Sequence, residues 1–142
     1  MGEITKENLR RLIEADTYED ANLEGMNNQA FAVALNQLIE NKGVTTLFLV
    51  EETGISKSYI NKLRNPSEIV QPKRHLIIDM ALALNATYDE TNHLLKLAHY
   101  QNLYTRDEIE SIIIWGMLHN VPGKKIREKL EEKGLYTIFK YK

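Results

Sequence analysis

The chain has 142 residues, of which 43% are hydrophobic, and a formal net charge of −2 at pH 7, which fits one ordinary domain with a packed core. It contains no cysteine, which excludes disulfides, thiolate metal sites and thiol nucleophiles and suits a reducing cytoplasm. Since no apolar run approaches the roughly 20 residues that span a bilayer, we expect a cytoplasmic protein without a membrane segment.

The first element predicted along the chain is a short amphipathic helix at residues 4–14. Its spacing places Leu9, Leu12 and Ile13 on one side. The polar stretch that follows is typical of a linker. We therefore expect residues 1–27 to form an N-terminal arm, either docked or disordered.

Five further helices are predicted within residues 28–98, which we assign to one all-α domain. Residues suited to cap the first turn of a helix precede three of them: Thr45, Ser56 and Thr87. Gly54 separates the second helix of this domain from the third. Pro66 ends the third, because proline lacks the amide proton and disfavours helix in the residue before it.

Residues 99–142 are predicted to form a C-terminal helical hairpin. Thr105 and Glu108 have the spacing of a capping box ahead of a helix at 109–118 that is apolar almost all round. Such a helix is either buried by its neighbours or pairs with a partner. We expect self-association through an apolar surface that includes Ile113, Trp115 and Met117. The remaining alternative is that this helix receives another protein or a peptide.

A last helix is predicted to begin near Pro122, which suits the first helical turn. Ile126 and Leu130 share one side of this helix, so we expect its charged residues to face solvent on the other side. Residues 135–142 alternate loosely between apolar and polar types, which predicts a strand or an arm.

The strongest motif lies at residues 49–63. Its apolar and turn positions have the residue types that two helices crossing at a tight turn require: Leu49, Val50, Gly54, Ile55, Ile60 and Leu63. The first two and the last two of these would meet at the crossing. The glycine permits the sharp turn, and the isoleucine after it fills the corner.

At residues 30–98 the sequence resembles the lambda-repressor/Cro-like (XRE-type) helix-turn-helix family. The resemblance implies a five-helix lambda-repressor-like domain whose second motif helix enters the major groove of double-stranded DNA. Matched position by position, the residues that fall where the family places base and phosphate contacts are Lys57, Ser58, Tyr59, Asn61 and Lys62. The predicted DNA-binding set is completed by Thr46, Ser56, Arg64, Lys73 and Arg74. Asparagine can pair with adenine, lysine can reach guanine or phosphate, and serine and tyrosine can reach phosphate oxygens.

Three positions depart from the family pattern. Thr46 replaces a common glutamine, Arg64 a common glutamate and Val50 the favoured alanine. The first change replaces the amide group of the usual DNA contact with a hydroxyl that can hold a phosphate, and the last predicts a slightly wider helix crossing.

Charge along the chain supports the resemblance. Residues 1–27 contain three basic and seven acidic residues, whereas residues 55–75 contain five basic residues and one acid, Glu68. Phosphate binding requires such a local excess of lysine and arginine. The alternative is that these lysines only form a solvated helix face, which would mix both signs of charge. Residues 55–64 contain no acid.

Neither a metal site nor an enzyme is predicted. The four histidines lack the spacing that stacks two ligands on one face of a helix: His75, His93, His99 and His119. No nucleophile, base and orienting group can be argued together. We expect no cofactor.

The sequence therefore predicts a cytoplasmic, homodimeric transcriptional regulator that binds a specific DNA sequence. The alternative is a protein-interaction adaptor that keeps the helix-turn-helix fold but binds an acidic protein partner. Overall acidity and the threonine at position 46 favour that alternative.

Overall fold

A computed structural model describes residues 3–17 and 28–135. Within these residues the chain forms eight α-helices and no strand, as the all-α prediction requires. The helices are α1 (Glu3–Glu14), α2 (Gln29–Lys42), α3 (Thr46–Thr53), α4 (Lys57–Leu63), α5 (Arg74–Ala83), α6 (Tyr88–Leu97), α7 (Glu108–Leu118) and α8 (Gly123–Glu132). None of these helices is both long and apolar enough to cross a membrane. Most of the predicted linker, and all but the first residue of the predicted strand or arm, lie outside the described residues.

The five helices predicted within residues 28–98 are present as α2 to α6, and three of them are capped as expected. The side chains of Thr45 and Ser56 accept hydrogen bonds from the backbone amides three residues further on, at 3.0 Å and 3.1 Å. Thr87 and Glu90 form a reciprocal capping box at the start of α6. These bonds satisfy amides that the first turn of a helix leaves unpaired.

The start of α7 differs from the prediction. Asp107, and not Thr105, caps the helix, because its Oδ1 accepts from the amide of Glu110 at 2.9 Å. The amide of Asp107 donates to the carbonyl of Tyr104 at 3.3 Å, and this turn keeps Thr105 outside the helix. The predicted capping box is therefore wrong. Pro122 likewise precedes α8 as its N-cap and does not lie within the first turn.

The core is one cluster of buried side chains contributed by α2 to α8. Its largest fully buried members are Leu35, Leu49, Ile60, Leu63, Ile77, Met80, Leu82, Leu84, Leu94, Leu95, Ile113 and Ile126. The centre of this core is α5, in which every residue from Leu76 to Ala83 is buried and which contacts α3, α6 and α8. The C-terminal helices therefore share their core with α2 to α6.

Helix α8 approaches the backbone of α5 closely at Gly123. A Cβ atom at this position would lie 1.7 Å from the carbonyl oxygen of Leu82, so only glycine fits. The amide of Gly123 donates to Oδ1 of Asn85 at 2.7 Å. Further along α8, Ile126 and Leu130 are buried as predicted. These contacts seat α8 directly on the end of α5.

Arg127 corrects the expectation that all charges of α8 face solvent. Its side chain turns inward and is buried, because it forms an ion pair of 2.5 Å with Asp79 on α5. Asp79 is itself 2% exposed. The pattern of apolar residues in α8 therefore misses one buried position.

The N-terminal helix α1 carries an exposed apolar stripe. Leu9, Leu12 and Ile13 are 59%, 44% and 74% exposed. Arg10, on the same helix, forms ion pairs with glutamates one turn before and one turn after it. The apolar side predicted from residue spacing is thus present on the described helix.

Candidate nucleic-acid interface

Helices α3 and α4, hereafter the α3–α4 pair, pack through the apolar residues that the sequence motif places there. Leu49 of α3 and Ile60 and Leu63 of α4 have no exposed surface, and Ile55 between the helices is 5% exposed. Val50 is partly buried against the same cluster. The core therefore holds one side of α4, and the opposite side of this helix faces solvent.

The turn between the two helices is held by backbone and side-chain bonds. Gly54 has a φ angle of +76°, in the left-handed region that favours glycine, and its amide donates to the carbonyl of Val50 at 2.9 Å. Thr53 Oγ1 donates to the carbonyl of Leu49 at 2.6 Å and accepts from the amide of Ile55 at 3.1 Å. The hydroxyl of Thr53, a residue that the motif does not single out, therefore joins the end of α3 to the turn.

The outer side of α4 is polar and exposed. Lys57, Ser58, Asn61 and Lys62 are exposed there. With two residues that follow α4, they line an open depression of about 430 Å³, whose lining is Lys57, Ser58, Asn61, Lys62, Asn65 and Glu68. The structure thus brings four of the predicted contact residues together on one surface.

Glu68 is the acidic member of this surface, and sequence analysis did not include it among the contact residues. Two backbone bonds hold it in place: its amide donates to the carbonyl of Asn65 at 3.1 Å, and its carbonyl accepts from the amide of Asn28 at 3.0 Å. The depression therefore presents two lysines and one carboxylate, which gives it an excess of positive charge.

Ser56 and Tyr59 flank this surface. The Ser56 hydroxyl accepts from the amide of Tyr59, which leaves its own proton free to donate. Tyr59 is half-buried, and burial, together with Tyr100, raises the pKa of its phenol above the usual 10. Both side chains are therefore neutral donors at physiological pH.

Arg64 and Thr46 are bonded to each other. Arg64 Nη1 donates to Thr46 Oγ1 at 2.6 Å, and Arg64 Nε donates to Oδ1 of Asn36 at 2.6 Å. The Asn36 amide group in turn donates to the carbonyl of Arg64 at 2.9 Å. Two positions that depart from the family pattern thus form one contact, and Arg64 joins α2, α3 and the end of α4.

Arg74 lies in a contact between α5 and α7. Its guanidinium pairs with Glu110, and its Nη2 donates to the carbonyl of Asn102 at 3.0 Å. Lys73 is exposed at the N-cap of α5. Neither side chain lines the depression beside α4. Arg74 therefore joins α5 to α7, and its predicted contact with DNA, like that of Lys73, stays a prediction.

The predicted self-association surface on α7 requires a correction. Ile113 and Met117 are 0% and 7% exposed because they pack into the core of the chain, whereas Trp115 is 47% exposed. Leu118, which the sequence did not single out for this surface, is 61% exposed. Beside Trp115, the Nζ of Lys129 lies 5.4 Å from the centroid of the indole ring. The exposed part of α7 is therefore centred on Trp115 and Leu118.

No protein-family model, no curated protein and no solved structure matches the chain.

Proposed function

We propose that the chain is a sequence-specific regulator of transcription that binds double-stranded DNA. In this proposal the α3–α4 pair is a helix-turn-helix within a five-helix, lambda-repressor-like domain formed by α2 to α6, and α4 lies in the major groove. The observation that supports it is the polar face of α4, where Lys57, Ser58, Asn61 and Lys62 are exposed while the opposite side is buried. A chain without cysteine suits a regulator that works in the cytoplasm.

The dimensions and chemistry of α4 fit this role. An α-helix with its side chains is about 10–12 Å across, which fits a major groove about 12 Å wide. The seven residues of α4 make a helix about 10 Å long. The amide of Asn61 can donate and accept at once, as adenine requires, and Lys57 can donate to guanine. Lys62, Ser56 and Tyr59 supply donors for phosphate oxygens.

Glu68 would let this surface distinguish between DNA sequences. A carboxylate only accepts hydrogen bonds, and cytosine presents an amino group in the major groove that can donate to it. The same charge repels the phosphates of every sequence, and only a sequence that places cytosine there compensates with a hydrogen bond. We therefore expect Glu68 to restrict the choice of sequence.

Selection of bound duplexes from a random pool tests the proposal. The wild type is compared at matched salt with a double variant, Lys57→Ala with Asn61→Ala. The control is Lys124→Ala with Lys125→Ala, two exposed lysines on α8. We expect the wild type and the control to enrich one half-site or palindrome and the α4 variant to lose it. No enrichment by the wild type, or unchanged selection by the α4 variant, would contradict DNA reading by α4.

We further propose that the regulator is a homodimer in which Trp115 and Leu118 of two copies pack together. Proteins of this class commonly occupy two half-sites about 34 Å apart, so a dimer predicts a repeated half-site at that spacing. The support is the exposure of these two large apolar side chains on α7.

A protein-interaction adaptor is the second candidate function. It is favoured by Trp115, which is exposed and lies beside Lys129, because exposed apolar surface marks protein contacts and a cation attracts an acidic partner. DNA binding that weakens steeply with salt and prefers one sequence would separate the regulator from the adaptor.

A further inference from the structure

One buried side chain connects α8 to the end of α3. Arg127, 7% exposed, extends from α8 between α5 and α3. Its Nη2 donates to Oδ1 of Asp79 at 2.5 Å and to the backbone carbonyl of Asp79 at 2.9 Å. Its Nη1 donates to the backbone carbonyl of Glu52 at 2.5 Å. One guanidinium thus holds a carboxylate on α5 and a carbonyl on α3.

The carbonyl of Glu52 is well placed to control the turn that follows. It belongs to the last turn of α3, two residues before Gly54. Carbonyl groups in the last turn of a helix have no partner within that helix. By accepting from Arg127, the carbonyl of Glu52 fixes the end of α3 where the chain turns into α4.

Stability alone does not account for this arginine. Burial of an ion pair is commonly no more stabilising than well-packed apolar side chains of similar volume. The Nε of Arg127 is also buried, and none of the described residues accepts a hydrogen bond from it. What the guanidinium supplies, and an apolar side chain would not, is a directed bond to each of two helices.

The location of this guanidinium is fixed by the way α8 is seated. Gly123 lies against the backbone of Leu82 at the start of α8. Ile126, the residue before Arg127, is 2% exposed and packs in the core. Because Gly123, one turn earlier, and Ile126, the preceding residue, are both held in place, the arginine enters the space between α5 and α3 from a fixed position.

We infer that Arg127 is a positioning residue for the α3–α4 pair, so that α8 sets the orientation in which α4 is presented to DNA. The inference deepens the proposed function and rests on it for its consequence in DNA binding. The coupling between α8 and the turn can be measured without DNA.

Amide hydrogen exchange on the full chain tests the coupling. The reporters are the amides of Gly54, Ile55 and Ile60, which donate to Val50, Thr53 and Ser56. The reference is the amide of Ala98, which bonds at the end of α6. Local opening at the turn would raise exchange at the reporters and leave the reference unchanged.

Two substitutions at position 127 are compared with one control. Arg127→Met removes the charge, and Arg127→Lys keeps a cation for Asp79 but loses the planar fork that reaches both helices. The lysine variant serves if the methionine variant does not fold. The control is Lys125→Met, because Lys125 is exposed on the same helix.

We expect Arg127→Lys to speed exchange at the reporters by about tenfold or more, the effect of losing a hydrogen bond from a charged donor. The reference amide and the Lys125→Met variant should match the wild type. Equal acceleration at the reporters and at the reference would show a merely structural role, and no acceleration at the reporters would show no coupling. Either result would overturn the inference.

DNA affinity is the second readout. With the sequence selected by the wild type, Arg127→Lys should bind about tenfold more weakly, while the dependence of affinity on salt stays the same, since the number of phosphate contacts is unchanged. An unchanged affinity for that sequence would overturn the role in positioning α4. If the wild type selects no sequence, the proposed function fails, and the exchange measurement still decides whether α8 is coupled to the turn.

Discussion

Replacing Gly123 by alanine tests how tightly α8 is seated on α5. The new Cβ atom would lie 1.7 Å from the carbonyl oxygen of Leu82 and 2.6 Å from its carbonyl carbon, whereas ordinary contacts begin at 3.4 Å. The two backbones would have to separate by about 1.5 Å or more to relieve this overlap. A shift of that size also breaks the bond of 2.7 Å between the Gly123 amide and Asn85.

The expected loss follows from what α8 buries. The chain can escape the overlap by releasing α8, which exposes Ile126 and Leu130, now 2% and 0% exposed. Burial of each of these side chains is worth about 1.5–3 kcal/mol. We therefore expect Gly123→Ala to lower the free energy of unfolding by about 3–6 kcal/mol.

Urea unfolding followed by circular dichroism measures this loss. Lys124→Ala is the matched control, because Lys124 is the next residue and is exposed. The control should change the free energy of unfolding by less than about 0.5 kcal/mol. A loss of less than about 1 kcal/mol for Gly123→Ala would refute the reasoning, since a seated α8 tolerates no Cβ at this position.

Three further predictions concern pH, a polar contact and assembly. Burial raises the pKa of Asp79 from 3.8 to about 6, and Arg127 opposes this shift. The folded chain therefore binds the proton of the Asp79 carboxyl more tightly than the unfolded chain does. The stability that this carboxyl contributes is therefore full below pH 4 and lost as pH rises to about 6. In urea unfolding between pH 4 and pH 7, the wild type should lose about 3 kcal/mol relative to Asp79→Asn, and parallel pH profiles would contradict this. Arg64→Ala removes hydrogen bonds to one side chain on α2 and one on α3. It should lower the free energy of unfolding by about 1–3 kcal/mol in the same assay. An unchanged midpoint of urea unfolding would contradict this contribution. In sedimentation equilibrium, Leu118→Glu should weaken the dimer by about tenfold or more, whereas Leu9→Glu, an equally exposed leucine on α1, should not; equal effects would place the dimer contact elsewhere.

Local chemistry explains which parts of the fold could be predicted. Thr45, Ser56 and Thr87 cap helices through bonds to amides three residues away, so the sequence around each cap contains the whole interaction. The choice between Thr105 and Asp107 at α7 was missed because both can cap a helix. It depends on a turn at Tyr104 that residue types alone do not reveal.

Long-range contacts explain what could not be predicted. The spacing of α7 shows that it is apolar, but which side is covered depends on α6 and α8, so Trp115 and Met117 could not be told apart. At the candidate site, the polar face of α4 was predictable because the motif fixes its buried side. The bond between Arg64 and Thr46 was not, because hydrogen bonds between helices leave no periodic signal in the sequence.

The bond from Arg127 to Glu52 also bears on the order in which the chain is completed during synthesis. The two residues are 75 positions apart, so α2 to α6 are made before the arginine exists. A product cut after residue 98 would contain the whole α3–α4 pair and yet leave the Asp79 carboxylate without its ion-pair partner and the Leu82 backbone without its cover. Fragments for biophysical work should therefore extend through α8, because a chain that ends before residue 127 lacks the bond from Arg127 to the end of α3.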